Sequence, residues 1–108
     1  MELKTEWSEG TLIITPHIDR LDAQAAVEFR KEVLQHVADW KRVVLNMVFV
    51  SFVDSSGLAS LVSVLKGLPP GATLRLVHVH ANVQALLQLT RLVKVFSSYP
   101  SLREALEA

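Results

Sequence analysis

A run of apolar residues from Val43 to Val53, broken only by Asn46 and Ser51, constrains the fold of this chain more than any other feature. A strand with one wet face alternates polar and apolar residues. Val43-Val44-Leu45-Asn46-Met47-Val48 barely alternates and suits a strand buried on both faces, as in a parallel sheet covered by helices. The run is well short of the roughly 20 residues a spanning helix needs. It leads into Asp54-Ser55-Ser56-Gly57, after which Leu58, Leu61, Val62 and Leu65 share one side of a helix that Gly67-Leu68-Pro69-Pro70-Gly71 must end. Two hydroxyls therefore stand where a buried strand hands over to a helix N-terminus, which carries unpaired N–H groups and partial positive charge. A serine there can be a helix cap, a nucleophile or a phosphate acceptor.

The flanking segments complete an α/β pattern. Leu3, Thr5 and Trp7 alternate with Glu2, Lys4 and Glu6, the signature of a strand with one solvated face. Ser8-Glu9-Gly10 is a turn, and Thr11 to Thr15 forms a second strand stopped by Pro16. Asp22 caps a first helix whose Ala26, Phe29, Val33 and Val37 recur at helical spacing. Thr73 to Val79 is a strand, and Asn82 caps a third helix carrying Val83, Leu86 and Leu87. Lys94-Val95-Phe96 is a short fifth strand, and Ser101-Leu102-Arg103-Glu104 is a capping box that opens a terminal helix. The expectation is one α/β domain over residues 1–108, with a mixed sheet of about five strands covered by about four helices.

Composition narrows the function. Eleven basic and eleven acidic residues leave no overall field toward nucleic acid or an anionic membrane. The absence of cysteine excludes a disulfide framework, thiolate metal sites and thiol catalysis. The opening Met1-Glu2-Leu3-Lys4-Thr5-Glu6 has no basic-then-apolar leader, so a cytoplasmic domain without membrane insertion is expected.

Chemistry-bearing motifs are few. His78 and His80 lie two residues apart near a strand end, but two imidazoles without a third ligand rarely hold a metal. Asp-Ser-Ser-Gly lacks the Gly-x-Ser-x-Gly nucleophile elbow, and neither nucleotide-binding glycine fingerprint is present. No catalytic residue, cofactor or metal is expected. The second helix is unusual on the side opposite its apolar stripe, where Ser56, Ser60, Ser63 and Gly67, flanked by Ala59, replace the charges of an ordinary exposed helix. Such a face either packs under another segment or is a flat docking surface, since charge depletion marks interface cores.

Ser51-Phe52-Val53-Asp54-Ser55-Ser56-Gly57-Leu58, preceded by Val43-Val44-Leu45-Asn46, resembles the signature of the STAS-domain anti-sigma factor antagonists of bacterial partner switches. Arg20-Leu21-Asp22-Ala23 is similar to a second family segment, and the order of strands and helices agrees along nearly the whole chain. The resemblance implies a binding protein, not an enzyme, with Ser55 as phosphate acceptor and Ser56 as the alternative that the helical wheel favours. It implies that Asp22 and Asp54 meet the partner beside Ser55, and the small, uncharged face of the second helix adds Ser56, Gly57, Ala59, Ser60 and Ser63 to the expected contact. The implied partners are an anti-sigma factor resembling a GHKL-type serine kinase and a PPM-type serine phosphatase, with no direct contact to nucleic acid. The alternative role is that of a STAS interaction subunit in a signalling scaffold or lipid-transport complex, with Ser55 only a cap. Two departures fall on the expected partner-facing rim: Val48 and Phe49 stand where the family often has acidic residues, and Asp19, after His17-Ile18, stands where it has glycine.

Overall fold

The computed structural model describes residues 1–108, and its elements alternate after an opening hairpin. Strands β1 (Leu3–Ser8) and β2 (Thr11–Pro16) pair antiparallel across a two-residue turn, Glu9-Gly10, with φ of 53° and 77°. Paired positive φ angles match the twist of a tight hairpin, which glycine accepts without strain. β3 (Arg20–Leu21) leads into α1 (Ala23–Val37), followed by β4 (Arg42–Asn46), β5 (Phe52–Val53) and α2 (Ser55–Lys66). β6 (Thr73–Val77), α3 (Ala81–Leu89), a 3₁₀ turn at Leu92–Lys94, β7 (Ser97–Tyr99) and α4 (Leu102–Glu107) complete the chain.

The main sheet has the order β1-β2-β4-β6-β7, with β2, β4, β6 and β7 parallel. Every crossover steps in the same direction along the sheet. Right-handed connections then place α1, α2 and α3 on one face, where Phe29, Val33, Leu61, Val64, Val83 and Leu87 pack onto Leu12, Ile14, Val43, Leu45 and Leu76. The other face has a smaller core in which Ala105 of α4, with Leu102 and Leu106, covers Ile13, Val44 and Val77. Val43, Val44 and Leu45 are completely buried between these two layers, as the lack of alternation predicts. Because strand order never reverses, the sheet has no switch point, the usual ligand crevice of open α/β folds.

Several expectations are corrected. The apolar run is not one strand: β4 ends at Asn46, whose side-chain oxygen accepts from the Val48 N–H, and the chain turns through Met47–Val50 before β5. Residues 94–96 are not a strand. The N–H groups of Lys94, Val95 and Phe96 bond back to the carbonyls of Arg91 and Leu92, so Phe96 plugs the core from a turn and pairing with β6 starts only at Ser97. Asn82 does not cap α3; His80 occupies that position without a side-chain bond, and Asn82 Nδ2 donates to the Ser51 carbonyl at 2.7 Å. β6 stops at Val77 because His78 takes a φ of 55°, outside strand geometry. Trp7, expected on the covered face, is 74% exposed, since β1 is the edge strand and lies beyond the helices.

Candidate functional site

The site is built by a small two-stranded parallel ribbon at one end of the main sheet. β3 and β5 pair with Arg20 opposite Phe52 and Leu21 opposite Val53, so the next residues of each strand, Asp22 and Asp54, emerge side by side. Each then starts a helix. Asp22 Oδ1 accepts from the Gln24 and Ala25 N–H groups at 3.2 and 3.3 Å, and Asp54 Oδ1 accepts from the Gly57 N–H at 2.9 Å. Both aspartates are N-caps that satisfy otherwise unpaired backbone donors, and each remains partly exposed.

That assignment changes the reading of Ser55. Since Asp54 caps α2, Ser55 is the first helical residue; its side chain is exposed and makes no hydrogen bond within the chain. The capping role left open for Ser55 is removed. Ser56 is half-buried and likewise has no side-chain hydrogen bond, so the structure leaves both hydroxyls free with Ser55 the more open.

The small residues behind these serines have a different explanation. An added Cβ at Gly57 would lie 2.0 Å from the Leu21 carbonyl oxygen and 2.8 Å from Val53 Cγ1, so Gly57 lets α2 start against the ribbon backbone. Ser60 is only 4% exposed, and its hydroxyl donates to the Gly57 carbonyl at 2.6 Å. These two expected contact residues are therefore buried within the domain, where close approach of the ribbon and α1 demands small side chains. Between α1 and α2 lies a shallow groove walled by Ala23, Val27 and Arg30 on one side and by Ser56, Ala59 and Ser63 on the other, with the buried Ala26 and Ser60 also lining it. The groove opens toward the helix N-termini that carry Asp22 and Ser55. Ser60→Arg is accordingly expected to destabilise the domain by about 1–3 kcal/mol, beyond the ±0.5 kcal/mol of a surface change; a thermal melt within 1–2 °C of the unsubstituted protein would return Ser60 to the surface.

The rim beside the site joins segments that are far apart in sequence. Ser51 N–H and Oγ–H both donate to Asp19, and the Arg20 guanidinium lies 3.9 Å over the Phe52 ring and 3.7 Å from Asp22. The His17 ring stands 4.6 Å from that of Phe49, and His80 shares a 2.7 Å hydrogen bond with the Val48 carbonyl. The two departures from the family pattern, at 17–19 and 48–49, are thus a single local surface. Sequence reasoning found both halves but not their contact, because nothing in the spacing pairs residues 32 positions apart. No cluster of three metal-ligating side chains exists in the structure.

A mixed five-stranded α/β domain with twin aspartate caps and a free serine just after the second cap is the class of structure that the fold and site define. Residues 2–105 match the STAS domain family model, and the chain belongs to that family. Its structure is similar to that of TM1081 from Thermotoga maritima, a candidate anti-sigma factor antagonist, with 25% identity, a TM-score of 0.88 and coverage of 97% of this chain and 92% of that one. It is also similar to the Bacillus cell fate determinant SpoIIAA in its phosphorylated form, at 18% identity and a TM-score of 0.70, covering 98% and 97%. A third similarity is to part of the murine anion transporter Slc26a9, at 23% identity and a TM-score of 0.79, covering 91% of this chain but 17% of that one. No curated protein sequence matches the chain. No helix is long and apolar enough to cross a membrane.

Proposed function

We propose that this domain is an anti-sigma factor antagonist of a bacterial partner switch, acting by binding and not as an enzyme. Unphosphorylated, it captures an anti-sigma factor that resembles a GHKL-type serine kinase and so frees a sigma factor. That partner then transfers phosphate to Ser55: the serine oxygen bonds to the γ-phosphorus of ATP, ADP departs, and the hydroxyl proton passes to a base of the partner. A PPM-type phosphatase reverses the step, all within the cytoplasm.

The observation that carries this reading is the free, exposed hydroxyl of Ser55 at the first position of α2, with its capping role taken by Asp54. A serine retained for folding would be hydrogen-bonded or buried; this one is neither. Asp22, Asp54, Ser55 and Ser56, with Ala59 and Ser63 along the groove, form the contact. Similarity to SpoIIAA, a protein with a phosphorylated form, supports the same assignment. The likeness to part of an anion transporter favours a second reading, that of a STAS subunit without a switch.

The experiment that separates them uses a GHKL-type serine kinase captured by this domain from its source cell, with ATP. One phosphate is expected, located at Ser55 by fragmentation mass spectrometry and lost in Ser55→Ala. Phosphate on Ser56 with Ser55 empty would move the acceptor by one residue. Stable capture with no phosphate on either serine would favour the non-switching reading.

A further inference from the structure

β1 is a free edge of the main sheet, and the direction of its backbone groups follows from the hairpin. A two-residue turn makes Ser8 and Thr11 a hydrogen-bonded pair, and such pairs alternate along an antiparallel ladder, so Glu6 with Ile13 and Lys4 with Thr15 are bonded as well. The far end of the strand agrees. The Glu2 carbonyl accepts from the His17 N–H at 2.8 Å, and Leu3 stands opposite Pro16, which has no N–H to donate. Leu3, Thr5 and Trp7 therefore turn their N–H and C=O groups away from β2, toward the open edge. Their side chains share the helix-covered face with Leu12 and Ile14, while those of Lys4 and Glu6 lie on the other face with Ile13. Lys4, Thr5, Glu6 and Trp7 are all exposed, the Trp7 indole at 74%, and neither Lys4 nor Glu6 has an ion-pair partner within the chain.

An open edge is a template for another strand, and charges placed on it decide which strand can pair. The charge order of β1 selects a second copy of β1. Antiparallel pairing must match outward-facing residues with one another, and the register centred on Thr5 does so over the whole strand, with Thr5 opposite Thr5 and Leu3 opposite Trp7 of the second copy. Lys4 of each chain then meets Glu6 of the other in the non-hydrogen-bonded positions, where side chains are closest. Neighbouring registers lack this match. Centred on Lys4, the pairing sets Lys4 against Lys4 and Glu2 against Glu6; centred on Glu6, it sets Glu6 against Glu6, and parallel pairing in register sets every charge against its like. We propose that β1 is a dimerisation edge, pairing antiparallel with β1 of a second copy about a two-fold axis at Thr5. The two five-stranded sheets run on as one, and Trp7 gains the Leu3 side chain of the other copy as a neighbour. A ladder of six residues per chain covers less area than a permanent dimer needs, so the association is weak and reversible. It is independent of Ser55 and of any partner of the switch.

Sedimentation of the full chain from about 10 μM to about 1 mM tests the proposal, with a concentration-dependent shift from monomer to dimer expected. Lys4→Glu and Glu6→Lys each convert both ion pairs into like-charge pairs and should weaken association by about tenfold or more. An equal mixture of these two variants restores opposite charges at every facing position. It should associate about tenfold or more tightly than either variant alone, and the double variant Lys4→Glu with Glu6→Lys should return to within about threefold of the parent. Thr5→Pro removes the outward N–H at the axis without removing a bond to β2, and should abolish the dimer. Melting curves of the charge variants at low concentration should superimpose on that of the parent, because these side chains are exposed. A chain that stays monomeric at about 1 mM, a dimer indifferent to both charge variants, or a mixture that associates no better than its components would overturn the proposal.

Discussion

Ser55→Asp is expected to weaken capture of the kinase-like partner at least tenfold while leaving the melting temperature within about 3 °C of the parent. The two effects separate because the side chain does nothing for the fold: the Ser55 hydroxyl has no hydrogen bond to lose and is exposed, while Asp54 holds the cap. A carboxylate in the first turn of α2 gains about 0.3–1 kcal/mol from the helix N-terminus, which offsets repulsion from the neighbouring Asp54 and Asp22. Binding is more sensitive. A partner that covers this end of the groove must strip water from a third carboxylate set beside two existing ones, and only about 1.4 kcal/mol of mismatch is a tenfold loss. Phosphoserine, with about −1.5 to −2 charges, should act in the same direction and more strongly. Ser55→Ala should bind as the unmodified protein does. Calorimetric titration with the kinase and thermal melts of the same samples decide the matter. Unfolding of Ser55→Asp would make the serine structural, and unaltered affinity would remove it from the contact.

Gly57→Ala should cause the largest loss of stability of any one-methyl change at the site, about 3 kcal/mol, lowering Tm by about 12 °C or more. The methyl carbon would sit 2.0 Å from the Leu21 carbonyl oxygen, a backbone atom held by pairing of β3 with β5, and 2.8 Å from Val53 Cγ1. Neither can step aside without shifting the ribbon that aims Asp22 and Asp54. In an ordinary helix the same change would stabilise by about 1 kcal/mol, so the expected sign is itself diagnostic. Calorimetric unfolding of the variant measures it; a stability equal to or above that of the parent would mean that α2 does not start against the ribbon as described. By contrast, Gly67, whose added Cβ would meet chiefly the flexible end of the Leu34 side chain, with the Ser63 carbonyl oxygen at 3.3 Å, should tolerate alanine better.

The local grammar of the chain carried most of the architecture. Period-two alternation marked β1 as a strand, unbroken apolar residues at 43–45 required two covered faces, and Asp22 and the Ser101-to-Glu104 box announced helix starts, because capping and periodicity are decided by neighbours within a few residues. The Asp-Ser-Ser-Gly junction was legible for the same reason. Tertiary structure alone decided which of its residues are free. Ser60 and Gly57 look available on a helical wheel, yet packing against α1 and the β3–β5 ribbon leaves them buried; Ser55 is free because the cap fell to Asp54. Phe96 sits in a turn and not a strand because filling the core outweighs its β propensity, and Trp7 is bare because β1 became an edge. His17 meets Phe49 only because parallel strands bring their ends together. Burial and long-range contact depend on where remote segments pack, and no local pattern encodes that.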